Sequence, residues 1–264
     1  REALRLAQGG SYNIAIGNDA LEGVVAGVNN IGIGFDALGG SIAGAEYNTV
    51  IGGYAGDAIT SGDSNVFVGH NAGDGAQDVD NCVAVGQLAL SAVATQDGTV
   101  AIGYQALAAL TSGVANTAVG YQALLENSIG DNNIAIGFGA MDDTLAGLQN
   151  DNNIAIGVNA MGGTWLTAAS THNTAIGNLT MAGAMNSALQ NTAVGYNAMN
   201  DLTTGNRNCA FGMNALAKVT SGQSEGNVAI GFAAGGVIET GDRNVVIGSA
   251  ALDASDAATS SVVV

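Results

Sequence analysis

A pentapeptide of the form Asn-x-Ala-Ile-Gly recurs from one end of the chain to the other, and a chain that repeats itself in this way stacks instead of condensing around one centre. Clear copies run Asn13 to Gly17, Asn116 to Gly120, Asn133 to Gly137, Asn153 to Gly157, Asn173 to Gly177, Asn191 to Gly195 and Asn227 to Gly231. With the closing glycine as marker there are fourteen copies, the first at Gly17 and Gly34 and the last at Gly231 and Gly248. The commonest interval is 17 residues, and a few are 18 to 20. Self-similarity at this period is the mark of a solenoid or another stacked repeat. Such a fold has no central core that stops growing, so one continuous rod of about fourteen rungs over residues 11–252 is expected. At ~4.8 Å per rung it would be roughly 65 Å long.

Composition agrees with an ordered array. The 41 glycines sit in register and 47% of the chain is apolar, which argues against disorder. Glycine does not recur every third residue and proline is absent, which excludes collagen. The net charge is −17, and no lysine or arginine lies between Leu6 and Asn206. Binding to nucleic-acid phosphates or an anionic membrane needs the opposite sign. No apolar run is long enough to span a bilayer, so membrane insertion by this segment is not expected. The chain begins without Met and reads as a fragment or processed product. Residues 1–10 fall outside the repeat, as the tail of a helix or coiled coil ending at Gly9-Gly10 or as an ordinary terminus. Residues 253–264 read as a C-terminal strand leading to a further flank.

Each repeat reads as one coil of a parallel β-solenoid. Asn stands four residues before the glycine at Asn13, Asn30, Asn48, Asn65, Asn116, Asn133, Asn153, Asn173, Asn191, Asn208, Asn227 and Asn244, with Cys82 and Thr99 as exceptions. Stacked in register, such side chains form hydrogen-bonded ladders. The residues three and one before the glycine are mostly Ile, Val or Thr, two apart and so on one face of a strand. β-Branching suits a buried pleated surface, so this face is expected to point inward. The small residue between them, mostly Ala, then faces out. A column of outward alanines suggests close approach by another copy of the chain, three identical strands about an axis. The alternative is a narrow two-sided coil whose interior Ala simply fits.

The closing glycine turns the corner. After it comes Ala-Leu or Ala-Met, read as a second, shorter side with Leu or Met filling the interior; Gly56, Gly73 and Gly235 break that column. The aromatic column Phe35, Tyr104, Tyr121, Phe138, Tyr196 and Phe232 reads as packing. Cys82 and Cys209 lie seven repeats apart, too far for a bridge, and Cys209 is expected to be a small buried hydrophobe.

Asn-Thr-Ala-Val-Gly-Tyr-Gln-Ala-Leu, residues 116–124, resembles the head repeat of trimeric autotransporter adhesins and the related repeats of phage tail fibres. The resemblance covers about residues 11–252. It implies a left-handed parallel β-roll, three chains side by side, and a place on a virion or cell exterior. It also implies a structural segment that projects or forms a receptor-binding surface for a host glycan or protein. The coil near 17 residues and the lack of a visible anchor or stalk depart from the adhesin pattern.

No catalytic constellation stands out, and an enzyme is not expected. His70 and His172 belong to no metal-spaced cluster. The aspartates Asp78, Asp80, Asp142, Asp143 and Asp151 invite a Ca²⁺ reading, but no loop has EF-hand spacing or the Gly-Gly-x-Gly-x-Asp repeat. No cofactor is therefore assigned. The intervals Gly137 to Gly157 and Gly157 to Gly177 each carry three extra residues, expected to bulge outward as loops. Trp165, Asp142, Asp143 and His172 form the candidate binding loop. An exposed Trp165 would stack on a sugar; otherwise it folds over a loop or fills a groove between chains. Two other functions remain: an ice-binding solenoid, which needs a regular Thr array, and a polysaccharide-degrading β-helix tailspike, which needs paired carboxylates in a groove.

Overall fold

The computed structural model describes residues 3–4, 9–23, 25–40, 43–95, 97–220, 224–252 and 261–263. Most of the N-terminal stretch expected to end a helix, and residues 253–260, lie outside the described residues. The chain is all-β and divides into two compact units, residues 1–129 and 130–264. The first unit carries β1 (Ile14–Ile16), β2 (Ile31–Ile33), β3 (Thr49–Ile51), β4 (Val66–Val68), β5 (Val83–Val85), β6 (Val100–Ile102) and β7 (Thr117–Val119). The second carries β8 (Ile134–Ile136), β9 (Ile154–Ile156), β10 (Thr174–Ile176), β11 (Thr192–Val194), β12 (Cys209–Phe211), β13 (Val228–Ile230), β14 (Val245–Ile247) and β15 (Val262–Val263).

Within each unit consecutive strands pair in parallel, and like motif positions lie side by side: Ala101 opposite Ala118, Ala155 opposite Ala175. One motif copy makes one coil, and together the units hold about fourteen turns of parallel β-solenoid.

The strands face the opposite way from the expectation. The alanine between the β-branched pair is buried in coil after coil, as at Ala101, Ala118, Ala135, Ala155 and Ala193. The flanking Ile, Val and Thr point outward. The cause is the width of the coil. From the opposite side come a second fully buried Ala and the Leu or Met after it, such as Ala106-Leu107 and Ala198-Met199. With those side chains in place, little more than a methyl fits on the strand side. Two of the exceptions show the rule, while Val246 shares its coil with Leu252. Val50 and Phe67 occupy the alanine column and are fully buried, and the opposing Leu column is glycine there. A Cβ on Gly73 would lie 2.5 Å from Phe67 Cδ2, and one on Gly56 3.1 Å from the same atom. Cys209, in the outward column, is half-exposed and not the buried hydrophobe expected.

The Ala-Leu side consists of stacked turns, not strand. Leu107, Leu124, Met181 and Met199 adopt positive φ of 47–52°. A left-handed residue costs roughly 1–2 kcal/mol. Fully burying a Leu or Met returns about 1.5–3 kcal/mol, and each N–H is also satisfied by the next coil, as in Leu107 N–H to Ala123 O at 3.0 Å. Burial wins.

Two columns lock the stack. Asn191 is fully buried and its Nδ2 donates to Asn173 Oδ1 at 3.0 Å and to Gly205 O at 2.7 Å. Its own Oδ1 accepts from Asn208 N at 3.0 Å and Asn208 Nδ2 at 3.2 Å. Each such side chain thus ties its coil to both neighbours and closes its own coil. The same pattern links Asn30, Asn48 and Asn65 in the first unit and continues to Asn244 in the second. At Cys82 the ladder loses its amide: Cys82 N–H still donates to Asn65 Oδ1 at 2.9 Å, but Thr99 Oγ1 is buried without a partner. The closing glycine is needed for stacking as well as for turning. At Gly103, with φ of 138°, a Cβ would stand 2.1 Å from Gly120 O.

Candidate functional site

The outward strand face is the chain's largest chemical anomaly. Three columns make it: the two β-branched positions of each strand and the position just after the glycine. None of these positions, in any of the fourteen copies, carries Asp, Glu, Lys or Arg, although the chain has 27 such residues, 22 acidic and 5 basic. In the first unit the face includes Ile16, 59% exposed, with Phe35, Ile51, Ile102, Tyr104 and Tyr121. In the second it includes Ile136, Phe138 at 53%, Ile176, Tyr196, Phe211 at 57% and Phe232. Rings on adjacent coils touch, Phe35 and Tyr54 edge to face at 5.1 Å and Tyr104 and Tyr121 stacked at 5.2 Å. Large contiguous apolar surfaces of this kind mark interaction sites. The aromatic column lies on the outside of the coil, with all six of its rings exposed.

The candidate loop does not assemble as a binding site. Trp165 is fully buried, and its indole Nε1–H donates to Met161 O at 3.1 Å. A ring with no exposed face cannot stack on a sugar. The extra residues around it fold partly inward and do not bulge wholly out. Trp165 N–H donates to Asp143 O at 3.0 Å and Leu166 N–H to Met185 O at 2.8 Å. Ser170 N–H donates to Asn150 Oδ1 at 3.0 Å, and Ala188 N–H to Ser170 Oγ at 3.1 Å, so the insertion carries a short ladder of its own. The rims stay exposed, at Leu145, Ala146, Gly147 and Gln149 in the first insertion and at Thr164, Leu166 and Thr167 in the second. Asp143 accepts from Thr164 Oγ1 at 2.6 Å. Asp142 is pushed above the ordinary carboxylate range, first by burial and then by the charge of Asp143. His172 sits at another corner, exposed, with Nδ1 3.1 Å from Thr171 Oγ1 and its backbone N–H donating to Asp151 O. The structure therefore joins Trp165 to Asp143 and leaves His172 apart.

The aspartates work mostly as turn staples. Asp80 Oδ1 accepts Asp63 N–H at 2.7 Å and Asp97 Oδ1 accepts Asp80 N–H at 2.8 Å. Asp151 does the same for Asp131 N–H at 2.9 Å. Asp78 is held below the usual carboxylate range by the Thr60 and Ser61 hydroxyls. Asp57 is raised by burial and then by the charges of Asp74 and Asp36. Among the described residues, no group of three or more His, Cys, Asp or Glu is placed to hold a metal ion. No described helix is long and apolar enough to cross a membrane. Neither cysteine is in a disulfide, and burial raises the Cys82 thiol, which disfavours the reactive thiolate.

No known family model and no curated protein sequence matches the chain. The outward face is also what the sequence reading missed. The signal was available, since charge is absent from three columns in register.

Proposed function

We propose that this chain is a structural segment of a homotrimeric surface fibre or adhesin, related to the tail-fibre and autotransporter-head repeats that its motif resembles. The uncharged outward strand face carries this reading. A monomer of net charge −17 has acidic side chains enough to cover its surface, yet keeps every one off this face. A second and third copy of the chain supply the missing cover, with like columns meeting about a shared axis. On this reading the fibre lies on a virion or cell exterior, has no catalytic role, and presents three copies of any weak receptor contact, whether to a host glycan or protein. Linked copies raise effective concentration without new contacts. Ice binding is less well supported, because Thr occupies the outward columns only at Thr49, Thr117, Thr174 and Thr192.

Sedimentation of the intact chain tests the proposal. The expected mass is three times 25.8 kDa. Ile136→Glu with Ile176→Glu places two carboxylates on the face of each copy, where like charges would oppose one another across the axis. Both side chains are 38% exposed, so the coil itself tolerates the change. The variant is expected to sediment as a monomer with an unchanged circular dichroism spectrum. A wild-type monomer, or a variant that stays trimeric, overturns the proposal.

A further inference from the structure

The second unit holds a cleft of about 390 Å³ lined by Arg207, Glu225, Gly226, Asp242 and Arg243. Its origin is a single missing side chain. The residue before each ladder Asn is left-handed, and its side chain stands at the coil's corner. On four successive coils this column reads Gln190, Arg207, Gly226 and Arg243, with φ of 60°, 57°, 69° and 55°. Gly226 leaves a notch between two guanidinium-bearing side chains, which lie two strand spacings, or roughly 10 Å, apart along the stack. The flanking acids come from neighbouring positions on the same coils. Arg207 Nη2 is paired with Glu225 Oε1. Asp242 Oδ1 accepts Glu225 N–H at 2.9 Å.

The decisive group is Arg243. Among the described residues, Lys218 is paired with Asp201 at 2.7 Å and Arg207 with Glu225, whereas Arg243 makes no ion pair. It is exposed at the mouth of the cleft. An unpaired guanidinium in a chain this acidic offers a planar two-pronged donor that matches a carboxylate. The Glu225 and Asp242 carboxylates beside it accept hydrogen bonds from hydroxyl groups and repel a multiply charged anion such as phosphate. The volume falls in the range of small-ligand pockets. One carboxylate with hydroxyls around it describes an acidic sugar.

We propose that this cleft binds a monosaccharide-sized acidic sugar, its carboxylate held by Arg243 and its hydroxyls by Glu225 and Asp242. The inference uses one chain only and stands whether or not the trimer does. The test is titration of the intact protein, followed by heteronuclear NMR, with glucuronate, glucose, acetate and inorganic phosphate. Glucuronate is expected to saturate, to shift resonances of residues 206–208, 225–227 and 242–244, and to weaken with added salt. Arg243→Gln should weaken it at least about tenfold, the loss of a charge-assisted bidentate contact. Gly226→Gln should do the same by filling the notch. That side chain is already tolerated in this column at Gln190, and a Cβ on Gly226 meets nothing closer than Arg243 Cγ at 3.6 Å. Lys218→Gln should change nothing. Equal binding of glucose, binding of acetate or phosphate as tight as glucuronate, or full affinity in Arg243→Gln would each overturn the assignment. So would the absence of saturable glucuronate binding in protein of confirmed fold.

Discussion

Phe67→Ala is expected to cost about 3–5 kcal/mol, the usual range for deleting a fully buried aromatic ring, and Gly73→Leu to be at least as damaging on its own. Made together they should nearly restore the wild-type stability. The reason lies in a swap between two columns. Most coils place Ala on the strand and Leu or Met across from it; this part of the first unit places Phe67 on the strand and Gly56 and Gly73 across from it. Phe67→Ala alone leaves a void that glycine cannot fill. Gly73→Leu alone drives a Cβ to 2.5 Å from the ring. The double change recreates the ordinary Ala-and-Leu pair, and the backbone is ready for it: Gly73 has φ of 61°, close to the 51° of Leu90 in the next coil. Urea denaturation of the four proteins gives a double-mutant cycle. A coupling energy near zero would mean that these two side chains do not share a space.

Asn191→Ala should be nearly as severe. It strands Gly205 O and Asn208 N–H, both on buried residues out of reach of bulk solvent. Each buried group left unsatisfied costs about 1–3 kcal/mol, so a loss on the order of 4 kcal/mol follows. Asn191→Asp makes a sharper test. It keeps the acceptor for Asn208 but aims a second oxygen at Gly205 O and Asn173 Oδ1, where Nδ2 donated. Ionised, that oxygen repels both; protonated, it donates to one of them. The aspartate's folded pKa is therefore raised above its unfolded value. Stability is present below the unfolded value and lost as the pH rises through the folded one. The variant should be closer to wild type at pH 4 than at pH 7. Because neighbouring coils support one another locally, amide exchange should show the loss around β10 to β12 first. Uniform protection across those strands at pH 7 would contradict the ladder's role.

Much of this architecture was legible in the residues. The spacing of the closing glycines gave the coil, and the Asn column had an evident use. The direction of the strand faces was not legible by the same route. A period of two says which residues share a face and leaves open which face is inside. Hydrophobicity favoured Ile and Val for the interior over Ala, and it misled because coil width decided the matter. That width is set by Leu107 and its equivalents arriving from the far side, a constraint visible only in cross-section. The clue in the sequence was a correlation: glycine replaces Leu at positions 56 and 73, around the strand that carries Phe67. Trp165 misled for a related reason. Three extra residues look like a surface loop when the coil is taken as fixed, yet here the coil takes part of them in. The Arg207–Arg243 cleft was hidden because it depends on which residues 17 to 19 positions apart stack at a corner, with Gly226 between them.

The most direct test of the whole account is an oxidation experiment on paired cysteines in a Cys82→Ser, Cys209→Ser background. Ile134 and Ile154 are register partners on adjacent coils, about 4.8 Å apart and on the same outward face. That spacing lies within the range a disulfide spans. Ile134→Cys with Ile154→Cys should close an intrachain bridge under mild oxidation, while Ile134→Cys with Ala155→Cys should not, because those side chains leave opposite faces. Bridging in the second pair but not the first would show the strands out of this register, and the stacked, alanine-inward coil could not stand.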